Sequence, residues 1–279
     1  MKILITGGSG FIGRNLVEKF KDKHSIFYPT HTELDLLECV NVSKYISEHN
    51  IDVVIHCANK GNYGNTFFGY SNDNVRMFRN ITKSSSKVDK IIFLGSGAEY
   101  GKERNLKNVK ESDFGKVIPK DNYGFEKFLC SRTIERLSDN IINLRLFGVY
   151  GKDEKRRFIS TSIKKNLEYR SIIIKQNVYF DYLYVDDLVR IIDWFLNNQS
   201  VFKFYNCTSG KSIDLISLAN IINEVSGKPS ELDILEPGFG YEYSGDNTRL
   251  LRELGDFQFT SHKDGITSLY AYYARRKID

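Results

Sequence analysis

Short apolar runs alternate with amphipathic stretches along most of this chain. Lys2 to Thr6, Ser25 to Tyr28, Asp52 to His56, Lys90 to Leu94, Ile141 to Leu146 and Phe202 to Cys207 are short and rich in β-branched or aromatic residues, which predicts strands. The run at 52–56 is almost continuously apolar, as a parallel strand buried on both faces should be. Between these runs, apolar residues recur at helical spacing. Leu16, Val17 and Phe20 mark one helix, Val40 to His49 a second and Asn72 to Ser86 a third. Phe128, Leu129, Ile134 and Leu137 mark another, and helices follow at Asp186 to Leu196 and Asp214 to Ser226. Strands alternating with helices predict an α/β fold, a doubly wound parallel sheet of the Rossmann type.

The first strand runs directly into Gly7-Gly8-Ser9-Gly10-Phe11-Ile12-Gly13 and then into a helix. Glycines at 7 and 10 permit positive φ and a close approach of backbone to a pyrophosphate, and Gly13 lets the helix pack on the strand. The helix N-terminus then presents unpaired N–H groups to the phosphates. Strand, glycine turn and helix together predict dinucleotide binding. The second strand ends at Pro29-Thr30-His31, with no acid between Tyr28 and Thr32 to bind ribose hydroxyls or repel a 2′-phosphate. That favours NADP(H) and leaves NAD(H) possible, with Thr30, His31 and Arg14 as candidate phosphate partners. Cys57, Ala58 and Asn59 follow the third strand, at the carboxyl end where open α/β sheets hold ligands.

Composition adds limits. The chain has 279 residues, enough for one large α/β domain or a domain with an appendage. Its net charge of +5 suits an anionic ligand, but no dense basic tract argues for nucleic acid. Cys39, Cys57, Cys130 and Cys207 show neither C-x-x-C pairing nor metal spacing, which predicts free thiols and no metal site. The first strand begins at Lys2 and no apolar run reaches membrane-spanning length. The expectation is a cytoplasmic protein with no membrane partner.

Ser96 lies just beyond the fourth strand, and Tyr123 and Lys127 stand four residues apart at the start of a helical pattern, on one face. A tyrosine titrates at about 10, and a neighbouring ammonium group stabilises its phenolate, so the pair can move a proton to or from an oxygen. The constellation Ser96, Tyr123, Lys127 is the candidate catalytic set.

Thr6-Gly7-Gly8-Ser9-Gly10-Phe11-Ile12-Gly13, followed by the order Ser, Tyr, Lys, resembles the extended short-chain dehydrogenase/reductases, the NAD-dependent epimerase/dehydratase family. The stretch from Thr32 to His56 looks most like the sugar-nucleotide 4-ketoreductases such as GDP-fucose synthase. The resemblance covers the whole chain. It implies that Phe11, Ile12, Asp35, Leu36 and Asn74 join the cofactor site, with Asn74 otherwise an exposed helix residue. It implies that Lys127 reaches the nicotinamide ribose and Ser96 holds the substrate carbonyl. Gly97, Ala98, Phe147 and Gly148 would line the substrate. Where sugar-nucleotide dehydratases carry an acid and fucose synthases a cysteine, this chain has Ala98, with Glu99 one residue later and turned elsewhere. Phe180 replaces the family's diphosphate-binding arginine, leaving Lys155, Arg156 and Arg157 as substitutes. Asp186 and Asp187 open a helix as a structural cap.

The expected division is a cofactor domain mainly in 1–150 and a substrate lobe mainly in 151–279, with segments around 176–206 returning to the first domain. Gly61 to Gly69 is expected to loop over the site, and the helices bearing Asn74 and Tyr123 to pair across a homodimer. The expected activity is NAD(P)H-dependent reduction of a 4-keto-6-deoxy sugar nucleotide for surface polysaccharide. The alternatives are a 4-epimerase holding NAD tightly, or a cofactor-binding regulatory subunit without activity.

Overall fold

The computed structural model describes residues 1–61 and 72–276. Most of the expected loop at Gly61 to Gly69 lies outside them. Six parallel strands form the central sheet: β1 (Lys2–Thr6), β2 (Ser25–Phe27), β3 (Val53–His56), β4 (Lys90–Ser96), β6 (Ile141–Leu146) and β10 (Phe204–Cys207). Their order is β10-β6-β4-β3-β1-β2, so the chain steps one way from β1 to β2 and then crosses to β3 on the other side. That reversal opens a crevice at the carboxyl ends of β1 and β3, where doubly wound sheets bind ligands.

The sheet alternates with period two. Ile3, Ile5, Val53, Ile55, Ile92 and Leu94 face a layer containing α1 (Phe11–Phe20) and α6 (Val185–Asn197), which insert Leu16, Phe20, Leu188, Ile192 and Phe195. Leu4, Val54, Ile91 and Phe93 face the opposite layer of α2 (Cys39–His49), α3 (Asp73–Thr82) and α4 (Asn122–Ile134). Asp187 at the start of α6 accepts hydrogen bonds from the Thr260 N–H and hydroxyl, a structural tie.

The rest of the chain builds smaller sheets. β5 (Leu106–Val109), β13 (Tyr243–Gly245), β9 (Tyr179–Tyr184) and β11 (Ser212–Asp214) form one in the order β11-β9-β13-β5, with β7 (Gly148–Tyr150) also paired to β9. β8 (Ile172–Asn177) pairs in parallel with β12 (Leu232–Phe239). α5 (Phe158–Leu167), α7 (Leu215–Ser226) and α9 (His262–Arg276) pack a separate core around Ile163, Ile222 and Ile266, and α8 (Thr248–Leu254) lies against β10. Sequence periodicity misses β5 because only Leu106 and Val109 of its four residues are buried. It misses β12 because that strand is exposed along nearly its whole length.

Candidate active site

The glycine turn forms the floor of the crevice. Gly7 has φ +69°, and a side chain there would lie 2.8 Å from the Ala58 backbone. Gly10 has φ −78°, not the positive value expected, because it is the extended N-cap of α1. No side chain caps this helix, which leaves its first N–H groups directed at the crevice. Gly13 must be glycine, since a Cβ would stand 2.2 Å from the Gly7 carbonyl oxygen.

A cavity of about 410 Å³ opens above the turn. Gly7, Gly10, Thr30, His31, Asp35, Leu36, Cys57, Ala58 and Asn59 all line it, together with Ser9, Pro29, Lys60 and Met77, which the motifs did not single out. Phe11, Ile12, Asn74, Ser96, Tyr123 and Lys127 are not on its wall. Phe11 and Ile12 instead pack their side chains against the core beneath. Asn74 is buried rather than exposed; its Oδ1 accepts from Lys60 N–H at 2.8 Å and its amide donates to Glu126 Oε2 at 2.7 Å. It thereby ties α3 and α4 to the chain leaving β3, and burial pushes the Glu126 carboxyl up.

The tip of β2 holds an acid that the interval 28–32 did not contain. Glu33 Oε2 accepts from the Thr30 N–H at 2.7 Å and from its hydroxyl at 2.8 Å, bonds that hold its carboxyl below the usual range. His31 lies 3.8 Å from Asp35. Arg14 donates to the carbonyl of Ser9, a residue on the cavity wall, and pairs with Asp153 at 3.8 Å. Burial pushes the Cys57 thiol up to about 12. Its neighbour His56 is forced neutral, with burial pushing it down to about 3, and shares a 2.7 Å hydrogen bond with the Thr6 hydroxyl.

Further along the sheet, β4 delivers Ser96 to its carboxyl end and α4 delivers Tyr123 and Lys127. Asp121 caps α4 by accepting from Gly124 N–H at 3.0 Å. Lys127 donates to the Leu94 carbonyl at 2.8 Å, with its ammonium 4.6 Å over the Phe93 ring and 5.9 Å from the centre of the Tyr123 ring. Ser96 Oγ accepts from Ala98 N–H at 3.1 Å. Glu99 turns away from this cluster: its carboxylate accepts from Ser96 N–H, the Ser131 hydroxyl and Arg145 Nε, inside the protein. Arg145 is buried in that ion pair, so its role is structural.

An aromatic wall faces Ser96. Gly97 is pressed between Phe147 and Tyr243, whose hydroxyl would lie 2.8 Å from a Cβ at that position. Tyr243 packs 5.0 Å from Phe147 and 5.9 Å from Phe180, so the residue replacing the expected arginine is part of the wall. Ala98 is buried, and Gly148 sits against the Tyr182 ring. Arg156 and Arg157 are exposed; Arg157 donates to the Val149 carbonyl at 3.3 Å, and its charge reaches Tyr182 and Tyr243. Tyr243 is the member of this cluster that no motif revealed. Among the described residues there is no cluster of metal-ligating side chains, and no helix is long and apolar enough to cross a membrane.

The profile of the NAD dependent epimerase/dehydratase family matches residues 3–207. The dTDP-4-dehydro-6-deoxyglucose reductase of Escherichia coli is 26% identical over 274 residues, covering 84% of this chain and 85% of that protein. The crystal structure of UDP-glucose 4-epimerase from Thermotoga maritima superposes with a TM-score of 0.85 at 20% identity, over 100% of both chains. GDP-mannoheptose C4 reductase from Campylobacter jejuni, solved with NADP bound, gives 0.82 at 22% identity over 98% of each.

Proposed function

The chain belongs to the NAD dependent epimerase/dehydratase family, and from that membership we propose that it reduces a 4-keto-6-deoxy sugar nucleotide with NAD(P)H. The observation that carries this reading is the pairing of Ser96, Tyr123 and Lys127 with Ala98 beside them and Glu99 locked to Arg145. The site offers the groups for hydride and proton transfer and no second acid or base at the position where relatives eliminate water or invert carbon.

The crevice fits a dinucleotide: the turn has no room for side chains at Gly7 or Gly13, and the α1 N-terminus is uncapped. When bound, the reduced nicotinamide supplies the hydride. The α1 N–H groups hold the pyrophosphate, and Thr30, His31, Asp35 and Leu36 border the adenosine. Lys127 keeps donors beyond its bond to Leu94 for the ribose. Ser96 donates to the ketone oxygen, and Tyr123 gives that oxygen its proton as the C=O becomes CH–OH. Arg157, the N-cap residue of α5, is a cation whose charge acts on Tyr243 and Tyr182 of the wall, and it takes the diphosphate in place of the missing arginine. The proposal includes a cytoplasmic enzyme, a substrate lobe mainly in 151–279, and a homodimer joined through α3 and α4.

The test is oxidation of NADPH and of NADH, followed at the nicotinamide absorbance, with a panel of 4-keto-6-deoxy sugar nucleotides. Stoichiometric oxidation with one of them supports the reductase. No oxidation, with NAD co-purifying and UDP-hexoses interconverted at C4, replaces it with the epimerase reading.

A further inference from the structure

The carboxylate of Glu99 spans three elements of the fold. Glu99 lies in the single turn Gly97–Tyr100 that follows β4 and is wholly buried. Its Oε1 accepts from the Ser96 N–H at 2.9 Å. Its Oε2 accepts from Arg145 Nε of β6 at 2.8 Å and from the Ser131 hydroxyl. Ser131 lies on α4, one turn beyond Lys127 and two beyond Tyr123, so the three share a face of the helix. One buried carboxylate therefore joins the peptide of Ser96 to the helix that carries Tyr123 and Lys127. Two glycines permit the approach. A Cβ at Gly95 would collide with the Glu99 and Asn143 side chains, and a Cβ at Gly124, beside Tyr123, would stand 2.7 Å from the Ala98 carbonyl oxygen.

We propose that Glu99 is a positioning residue: it sets Ser96 against Tyr123 by holding the end of β4 and the face of α4 on one buried charge. Bonds to an ionised acceptor are shorter and stronger than neutral ones, so the tie is stiff. Its counter-charge is fixed in place. The Arg145 guanidinium lies 4.4 Å from the centre of the Phe114 ring and 4.7 Å from that of Phe204, and it donates to the Tyr100 hydroxyl at 3.1 Å. Lys127 makes another tie between the same elements, to the Leu94 carbonyl, but with a side chain that the cofactor also engages. The Glu99 tie draws on none of the reacting groups. Stiffness matters here because a misplacement of about 1 Å at a reacting centre can cost about 10²-fold in rate. The proposal rests on the reading of Ser96 and Tyr123 as the groups that act on the substrate oxygen.

Glu99→Gln would strand Arg145 without its counter-charge and endanger the fold, so the test is made at the other end of the tie. Ser131→Ala removes one hydroxyl and leaves Ser96, Tyr123, Lys127 and the Glu99–Arg145 pair. With the substrate found in the panel, its kcat falls about tenfold, the effect of one hydrogen bond to a charged group, while KM and the Kd of NAD(P)H hold. The decisive measurement is a double-mutant cycle. In the Tyr123→Phe background the same change costs little further, because no phenolic hydroxyl is left to align; a loss of folded enzyme would cost the same factor in both. A wild-type kcat in Ser131→Ala, or an equal loss in both backgrounds, overturns the proposal. A second readout needs no substrate. In protein labelled with ¹⁵N-serine, the Ser96 amide is the resonance absent from Ser96→Ala. It shifts in Ser131→Ala, because its acceptor carboxylate is released from α4; an unmoved resonance also overturns the proposal. Failure of the reductase reading is distinct: it shows as no NAD(P)H oxidation by the unaltered enzyme, while the amide still reports the tie and the cycle runs on epimerisation instead.

Discussion

Glu33 shows how one carboxylate alters the choice of cofactor. It accepts both Thr30 donors that a 2′-phosphate would use, and it adds a negative charge at the β2 tip. Glu33→Gln removes the charge and keeps the fold of the turn. The ratio of kcat/KM for NADPH over NADH should rise by about two- to fivefold, the scale of an exposed charge contact; an unchanged ratio contradicts the placement. Tyr123→Phe should lower turnover by about 10²-fold or more while fluorescence titration shows undiminished NAD(P)H binding. The two predictions differ in how much the sequence disclosed. The placement of Tyr123 and Lys127 on one face of α4 was legible because helical spacing alone dictates it. The position of Ser96 at the carboxyl end of β4 was legible because the apolar run of that strand stops just before it. Glu33 was hidden because the chain folds back after Thr30, so a residue outside the tip in sequence lies on it in space. Tyr243 was hidden more deeply, since nothing local marks a tyrosine near the end of an irregular, exposed segment.

At the scale of elements, the turn joining β1 to α1 carries the tightest constraint. Gly13→Ala would place a Cβ against the Gly7 oxygen, and relief requires the helix to move off the strand. Overpacking of this kind costs about 1–3 kcal/mol, so the urea midpoint should drop and cofactor affinity weaken together. A variant with both unchanged would mean that the helix does not press on the turn. The central sheet was readable because β1, β3, β4 and β6 are buried on both faces and carry largely apolar runs. The smaller sheets were not, because β5 buries two residues and β12 scarcely any, and their pairing partners lie far away in sequence. Asn74 illustrates the same limit within a helix. Its spacing is that of a surface residue, and only the approach of α4 and of the chain after β3 buries it.

For the whole molecule, one buried and two half-buried histidines set a limit on acid tolerance. His24, His56 and His262 are all pushed below their ordinary value by burial, and His56 reaches about 3. Below about pH 6.5 the unfolded chain takes up protons at these sites and the folded chain resists, so stability falls with pH. Each fully resisting histidine contributes up to about 1.4 kcal/mol per pH unit. The urea midpoint should therefore decline from pH 7 to pH 5, with the raised carboxyls of Glu126 and Asp181 contributing in the opposite direction as the pH falls through their folded values. A profile over that interval that His56→Phe leaves unchanged would contradict the burial of the His56 ring. The strand β13, wedged between β5 and β9, carries a different consequence, an evolutionary one. Recombination between relatives that exchanged only the gene's 3′ portion would leave Ser96, Tyr123 and Lys127 with one parent and bring the Tyr243 ring, which packs on Phe147 and Phe180, from the other. A hybrid whose incoming strand lacked a compatible aromatic would then inherit a gap in the wall beside Gly97 together with its new 3′ portion.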